Sequence, residues 1–575
     1  MVNILVFLWL IKAVKTVFLW LYLWQLKEYH RGRFIAHLKS ISGRILVINP
    51  ANIIKTLIIL FYVISGPCFF YVTVCESYPY IVNYPSVNFL SFLTIVVAIY
   101  LLEAMRAIQG FANKSLKMPV WTGKTIFLFV VICAFVLALS LIIRWLSLTM
   151  SSLGVRVLSG EQFSVYLVIA DLLLPFLISF IILGFQPITV VLRNRTIRQA
   201  ALKRLKMSKL IVVGVTGSYG KTSTKEFLRE ILSTKFSVLA TKEHQNSEIG
   251  IANCILNDLL PKHEIFIAEM GAYNRGGINF LCKMVKPQIG IITGANEQHL
   301  STFGSIDNLL SAEGGIELLR FLPKNGLAVI NLSSELINNR KKEYLKYNEK
   351  IKIKTCSAKE EADYWCDNLA VGADSLSFRV KTYDGIEEDF HANLLGRQNA
   401  ENILLACAVS RELGMTLSEI GAALSRIKPE GGGIHHHLSR NGINIIDSTY
   451  SANPNGVIAH LEYLAVWPKK RILIMPSLIE LGRATNKVHK NIGQMIASVC
   501  DIAIITTKDG FSSIKNGVDA VAESGAEIMQ ISNPQEIIGL LSERLREGDA
   551  VLLESRVPKE VINYLVSHDL SRGTK

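Results

Sequence analysis

A chain of 575 residues is too long for one domain, and with 50% hydrophobic and only 19% charged residues it is not a disordered polyelectrolyte. A mean hydropathy of +0.34 is too high for a wholly soluble protein, so part of the chain belongs in lipid. The formal charge of +14 raises nucleic acid as a partner, whereas nine cysteines without a C-x-x-C pair argue against a zinc site or a disulfide framework.

In chain order, the first 190 residues hold five apolar runs: VNILVFLWLIKAVKTVFLWLYLW from Val2, IIKTLIILFYVISGPCFFYVTV from Ile53, VNFLSFLTIVVAIYLL from Val87, TIFLFVVICAFVLALSLII from Thr125 and FSVYLVIADLLLPFLISFIILGF from Phe163. About 20 residues suffice to cross a hydrocarbon core of roughly 30 Å, and these runs lack the single apolar stripe of a soluble helix. Region 1–190 is therefore expected to be a multi-pass domain of about five helices. The first run contains Lys12 and Lys15, which leaves open two shorter segments or an interfacial helix.

Charge in the loops orients the domain. Lys27, Arg31, Arg33, Lys39 and Arg44 follow the first run, and the next loop, CESYPYIVNYPS, has no Lys or Arg. Arg106, Lys114, Lys117 and Lys124 fill the third, whereas the fourth holds mainly Arg156 with Arg144 at its edge. After the last run come Arg193, Arg195, Arg198, Lys203, Arg204 and Lys206, a basic linker over 191–207, and then Lys209. Positive-inside bias then puts the N-terminus outside and everything after Phe185 in the cytoplasm, at an inner (cytoplasmic) membrane. Much of the basic excess lies beside the bilayer and suits anionic headgroups, so a lipid bilayer and no nucleic acid is the expected partner.

From Leu210 the character changes. LIVVGVTG reads as a buried parallel strand, and KTSTKEFLREIL as a helix that opens on hydroxyl residues. Strand, glycine turn and helix form the context in which backbone N–H groups and a helix N-terminus gather round a phosphate. Thr216, Gly217, Ser218, Tyr219, Gly220, Lys221, Thr222 and Ser223 are the candidate ATP-binding loop, although the general G-x-x-x-x-G-K-[ST] form fails because Val215 stands at its first position.

The shorter T-G-S-Y-G-K-T resembles the ATP loop of the Mur ligases, the amide-forming enzymes of peptidoglycan precursor synthesis. The resemblance continues in order. HQNSEIGIANCIL is similar to the family's N-x-x-I-G stretch, HEIFIAEMGAYNRGGINFL carries its E-M-G-A, and IGIITGANEQHLSTFGS its H-L-x-x-F-G-S. LLGRQNAENILLACAVSRELG resembles G-x-x-N-x-x-N, IIDSTYSANPNGVIAHL the Y-x-A-N-P segment, ILIMPSLIELGRATNKVHKNIG the M-x-E-L-G…H, and GDAVLLESR the closing strand. The Y-x-A-N-P, E-M-G-A and H-L-x-x-F-G-S elements point to the MurF type, which joins D-alanyl-D-alanine to a UDP-N-acetylmuramoyl-tripeptide. Region 1–190 falls outside the resemblance; that position in a typical MurF-type ligase holds a soluble domain gripping the UDP-sugar peptide.

The resemblance implies an α-helical membrane domain followed by two α/β domains: a P-loop central domain over 208–428 and a smaller Rossmann-like unit over 429–575. It implies ATP and Mg²⁺, with Lys221 at the phosphates and Thr222, Glu269 and His299 as metal ligands. It makes Lys221, His299 and Glu313 catalytic, and Asn399, Asn402 and Asp447 further ATP contacts. Asn246, Tyr450, Asn453 and Pro454 become substrate contacts. The implied activity is a membrane-anchored, ATP-dependent amide ligase of the cell wall, which activates a peptide carboxylate and joins it to an amino acid or a dipeptide such as D-Ala-D-Ala. Other cell-wall synthesis proteins are candidate partners. A Mur-like ligase of another envelope polymer, or a nucleotide-binding pseudo-ligase scaffold, are the alternatives.

Three departures bear on this. Glu313 stands where the family has a lysine carbamylated into a magnesium-bridging carboxylate, Gln398 where histidine is common, and no Arg aligns near Gly433, with Arg440 a distant substitute. The run His435, His436, His437 is not expected to hold a metal, since neighbours on a strand face opposite ways.

Overall fold

The computed structural model describes residues 2–567 apart from 28, 30, 40, 75–84, 114–115, 153–158, 243–244, 428–433, 440, 450–451 and 523–524. It divides into two compact units, Met1–Val191 and Leu192–Lys575.

The first unit is helical: α1 (Val2–Leu26), α2 (Pro50–Val74), α3 (Pro85–Ala112), α4 (Gly123–Ser152) and α5 (Ser159–Gly184). Among the described residues four segments are long and apolar enough to cross a membrane: Asn3–Leu26, Leu93–Ala112, Gly123–Leu146 and Phe163–Leu205. The last takes in α5 and the basic helix that follows it, α6 (Gln186–Leu205). The run from Ile53 lies in α2, a helix of 25 residues, whose described part includes the apolar helix Pro50–Phe61. The first run is one unbroken helix of 25 residues.

The first of its two lysines is accommodated by pairing. Lys12 donates to Oδ1 of the buried Asp171 in α5, and Trp9 Nε1 donates to the same oxygen at 3.2 Å. Lys55 in α2 reaches Asp171 Oδ2 at 2.7 Å and Glu103 Oε2 at 2.6 Å, with its Nζ 4.8 Å from the Tyr100 ring centroid. Two cations and two anions therefore tie four helices together where an isolated charge would be prohibitive. Replacing Asp171 by Asn leaves Lys12 without a carboxylate partner and Lys55 with Glu103 alone, and is expected to destabilise this unit by roughly 3–5 kcal/mol. Melting the detergent-solubilised chain tests this, and a curve superimposable on the parent's contradicts it.

The second unit contains two sheets. The first has nine strands in the order β2-β3-β1-β4-β5-β6-β7-β8-β9. β1 (Ile211–Thr216), β2 (Val238–Ala240), β3 (Ile265–Glu269), β4 (Ile289–Ile292), β5 (Leu327–Asn331), β6 (Lys352–Ser357) and β7 (Tyr364–Val371) are joined by parallel pairings. β8 (Leu376–Thr382) and β9 (Glu387–Ala392) extend the edge antiparallel. Both faces are covered, which is why the central strands read as unbroken apolar runs. Val213 and Val215 join the core under α7 (Lys221–Ser233) and α8 (Gln398–Glu412), and Leu210 and Val212 join the opposite one.

The second sheet has six strands in the order β10-β11-β15-β12-β13-β14. β10 (His435–Leu438) pairs antiparallel with β11 (Asn444–Ser448); the pairings among β11, β12 (Arg471–Met475), β13 (Ile502–Ile505), β14 (Glu527–Gln530) and β15 (Ala550–Glu554) are parallel. α9 (Pro454–Leu464), α10 (Thr485–Val499) and α11 (Phe511–Val518) cover one face, and α12 (Pro534–Arg544) and α13 (Lys559–Ser567) the other. On β10, the His435 and His437 rings lie 6.3 Å apart, while His436 sits 5.3 Å from the Trp467 ring.

Candidate active site

β1 lies between β3 and β4, and the chain leaves its carboxyl end through the T-G-S-Y-G-K-T turn into α7. Glycine is required there by both φ and space. Gly220 has φ 74°, and a Cβ on it would fall 2.5 Å from Asn402 Oδ1. Gly217 has φ 150°, and a Cβ there would fall 2.0 Å from Thr293 Oγ1. The turn is pinned by Ser218 N–H donating to Gly294 O at 2.7 Å, and by the Thr293 hydroxyl donating to Tyr219 O. The Tyr219 ring lies so close over Gly294 that a Cβ on that glycine would sit 2.3 Å from its Cζ. Thr216, at the end of β1, is fully buried, and its hydroxyl has no hydrogen-bond partner among the described residues.

Because Gly220 caps α7 without a side chain, the first N–H groups of that helix stay free to meet an anion. Lys221 folds back over the turn, its Nζ donating to Gly217 O at 2.5 Å. Thr222 and Ser223 share the first turn of α7. The Thr222 hydroxyl donates to Glu269 Oε2 at 3.1 Å, and Asn246 Nδ2 to Glu269 Oε1 at 3.1 Å. Beneath them the fully buried Lys225 donates to Thr241 O at 2.8 Å and lies 3.4 Å from Glu269 Oε2.

A second carboxylate closes the other side. Glu313 caps the helix Ile306–Ala312; it accepts from the Ser218 hydroxyl at 2.6 Å and meets His299 Nδ1 at 2.8 Å. Burial raises its pKa, but the charge and hydrogen bond of His299, with Lys221 and Ser218, outweigh that and hold it below the usual carboxylate value. Glu269 and Glu313 thus flank the loop from opposite sides, one bound to Thr222 and one to Ser218.

Asn402 is engaged behind the loop, where its Oδ1 accepts from Thr224 Oγ1 at 3.2 Å; Asn399 donates to Leu395 O at 2.9 Å. Asp447 accepts from the Thr449 hydroxyl at 2.7 Å and from its N–H at 2.9 Å, a local turn. Asn453 caps α9 with Pro454 behind it, and its Oδ1 also accepts from Asn296 Nδ2 of the central domain at 3.1 Å. Tyr450 lies outside the described residues.

Sequence reasoning missed Lys225, four residues on from Lys221, and the residues that join the two sheets. Asn296 also donates to Asn455 Oδ1 at 2.9 Å, Gln298 donates to Ala452 O at 3.1 Å, and Ser301 N–H donates to Glu480 O at 3.0 Å. The polar run ANEQH after β4 was the available signal. Glu401 was missed too: burial holds its carboxyl above the ordinary value, with Asn331 Nδ2 donating to it at 2.8 Å.

In the second sheet His489 is buried, its Nε2 accepts the Leu478 N–H at 3.0 Å, and burial pushes its pKa down to about 4. The unfolded chain binds this proton near 6.5 and the folded chain only near 4. Stability is therefore full above 6.5 and is lost as pH falls through that window, by on the order of 3 kcal/mol. Thermal melting between pH 7 and pH 4.5 measures this loss, and His489→Gln is expected to flatten the pH dependence.

A P-loop sheet joined at its carboxyl edge to a smaller parallel domain defines a two-domain P-loop protein of α/β type. Residues 215–410 match the Mur ligase middle domain and residues 435–556 the Mur ligase glutamate ligase domain, and the chain belongs to the Mur ligase family. It is 31% identical over 288 residues to the UDP-N-acetylmuramoyl-tripeptide–D-alanyl-D-alanine ligase of Escherichia coli, covering 49% of this chain and 61% of that one. It is 27% identical over 367 residues to the ligase of the same name in Bacillus subtilis, covering 63% of this chain and 77% of that one. The match therefore spans only about three fifths of the E. coli relative. The fold is shared with MurF from Acinetobacter baumannii (TM-score 0.58, 23% identity, 65% of this chain and 81% of that one). It is shared also with the MurF ligase of Thermotoga maritima in complex with ADP (TM-score 0.57, 24% identity, 66% and 84%).

Proposed function

We propose that the chain is a membrane-anchored, ATP-dependent amide ligase of peptidoglycan precursor synthesis, with ligase domains over 208–428 and 429–575 in the cytoplasm. The observation that carries it is the uncapped start of α7, flanked by Glu269 on Thr222 and Glu313 on Ser218. These residues fit a nucleoside triphosphate with a hard divalent cation. The glycine cradle has no room for a Cβ, the helix N–H groups are free, and the flanking ligands are oxygens.

When bound, ATP with Mg²⁺ supplies a phosphoryl group that turns an inert carboxylate into an acyl phosphate. Within the chain, Lys221 and the loop amides would hold the β- and γ-phosphates. Thr222 and Glu269 would hold the cation, with His299 and Glu313 on the far side. Asn453 and Pro454 place the start of α9 against the loop carrying His299, where a second substrate would meet the first. Such a site works by positioning and by neutralising charge.

Phosphate release by the purified full chain tests the reading, with Mg-ATP, UDP-N-acetylmuramoyl-tripeptide and D-alanyl-D-alanine added singly and together. Release that requires both co-substrates is expected. Nucleotide binding without turnover under any acceptor would instead support the pseudo-ligase scaffold. A second reading, ligation onto another envelope polymer, is favoured by the apolar helices standing where the MurF type carries its UDP-substrate domain. Turnover with a pool of envelope precursors but not with the UDP-tripeptide would select it.

A further inference from the structure

At the carboxyl edge of the second sheet, the parallel neighbours β11 and β15 end in register at Ser448 and Glu554. The helix after β11, α9, covers one face of the sheet, and the helix after β15, α13, the other. The connections therefore part between these two residues, the switch point at which open α/β sheets take ligands.

His460, on α9, faces both. Its Nδ1 lies 2.6 Å from Glu554 Oε2 and 3.0 Å from Ser448 Oγ. A carboxylate only accepts, so Nδ1 carries a proton toward Glu554, and Nε2 is the ring nitrogen left for another partner. Glu554 is fully buried, and its Oε1 has no hydrogen-bond partner among the described residues. His460 keeps 11% of its side chain exposed. An apolar pair would hold α9 on the sheet at lower cost than a buried carboxylate with one oxygen idle, so packing alone does not account for this group.

α9 is also the helix that meets the central domain. Asn453 and Asn455, at its start, accept from Asn296, three residues before His299, and His299 contacts Glu313 beside the phosphate loop. The imidazole thus stands on the helix whose start contacts the loop that carries His299.

We propose that His460 is the proton acceptor for the attacking amine and that Glu554 is its positioning residue. The assignment rests on the ligase reading above. An α-amino group titrates at about 8 and is mostly an ammonium ion at neutral pH, so it must lose a proton before it can attack. That proton passes to His460 Nε2, and the imidazolium formed is stabilised by Glu554. The amine nitrogen then bonds to the acyl carbon of the acyl phosphate, the bond from that carbon to the phosphate oxygen breaks, and the second proton leaves with phosphate. His460 returns its proton to water.

Hydroxylamine, largely unprotonated at neutral pH, attacks an acyl phosphate without help and separates this role from a structural one. The full chain is assayed with Mg-ATP and UDP-N-acetylmuramoyl-tripeptide, using either D-alanyl-D-alanine or hydroxylamine as the amine. His460→Asn keeps a donor for Glu554 but has no acceptor at the Nε2 position. It is expected to form amide on the order of 100-fold more slowly and hydroxamate within about threefold of the parent. Glu554→Gln is expected to show the same split, and it decides the matter if His460→Asn gives no cooperative melt. Undiminished amide formation, or equal loss of both products, overturns the assignment. A parent chain that binds nucleotide yet forms neither product, with this acceptor or with a pool of envelope precursors, instead defeats the ligase reading, and the assignment with it.

Discussion

Replacing Lys221 by alanine is expected to lower ATP-dependent turnover by on the order of 10³-fold while leaving the fold intact. Lys221 Nζ rests on Gly217 O at 2.5 Å and Ser218 O at 3.5 Å, so it lies where a phosphate entering the cradle would arrive. The remaining donors around the turn are backbone N–H groups, which carry only partial charge, and no other cation is in hydrogen-bond contact with the turn among the described residues. Lys225 does not substitute for it, because its Nζ is held on Thr241 O and against Glu226 and Glu269. Arginine at 221 is not expected to rescue, since a planar fork does not fit the space a flexible ammonium fills. Phosphate release under saturating substrates checks this, and a Lys221→Ala chain with full turnover shows that the loop is misassigned.

Glu313→Gln is expected to reduce turnover by about 10²–10³-fold, comparable to loss of one electrostatic contact in a closed site. Glutamine keeps the volume and can still accept from Ser218 Oγ, which Glu313 holds at 2.6 Å. It removes the charge that faces His299 at 2.8 Å and Lys221 across the loop, so the loss would report electrostatics and not shape. The resemblance places a carbamylated lysine here. Glutamate carries its carboxylate permanently, so stripping bicarbonate from the assay is expected to leave turnover unchanged. Glutamine at 313 with parent-like turnover would remove this carboxylate from the mechanism.

The glycine turn of the candidate phosphate loop was legible because its constraints are local. Gly217 and Gly220 are required by positive φ and by contacts a Cβ would violate, and the hydroxyl-rich start of α7 follows directly. The central strands were legible because a parallel sheet covered on both faces leaves continuous apolar runs. What stayed hidden depends on pairing between distant segments. Nothing near Lys12 in sequence announces Asp171 as its partner, and hydropathy alone made that lysine a reason to break α1. The antiparallel extension from Tyr364 to Ala392 was not anticipated, since its alternating residues compete with surface loops in appearance. The Asn296 bridge to Asn453 and Asn455 exists only once two domains meet, and His460 joins Glu554 across 94 residues.

Transfer of ¹⁸O tests the central claim most directly. The carboxylate of UDP-N-acetylmuramoyl-tripeptide is labelled, incubated with the full chain, Mg-ATP and D-alanyl-D-alanine, and both products are weighed by mass spectrometry. An acyl phosphate formed at the Lys221 loop predicts one labelled oxygen in each phosphate released, and a peptide product heavier by the dipeptide less water. Phosphate that carries no label, or ATP consumed without any gain in peptide mass, would contradict the account.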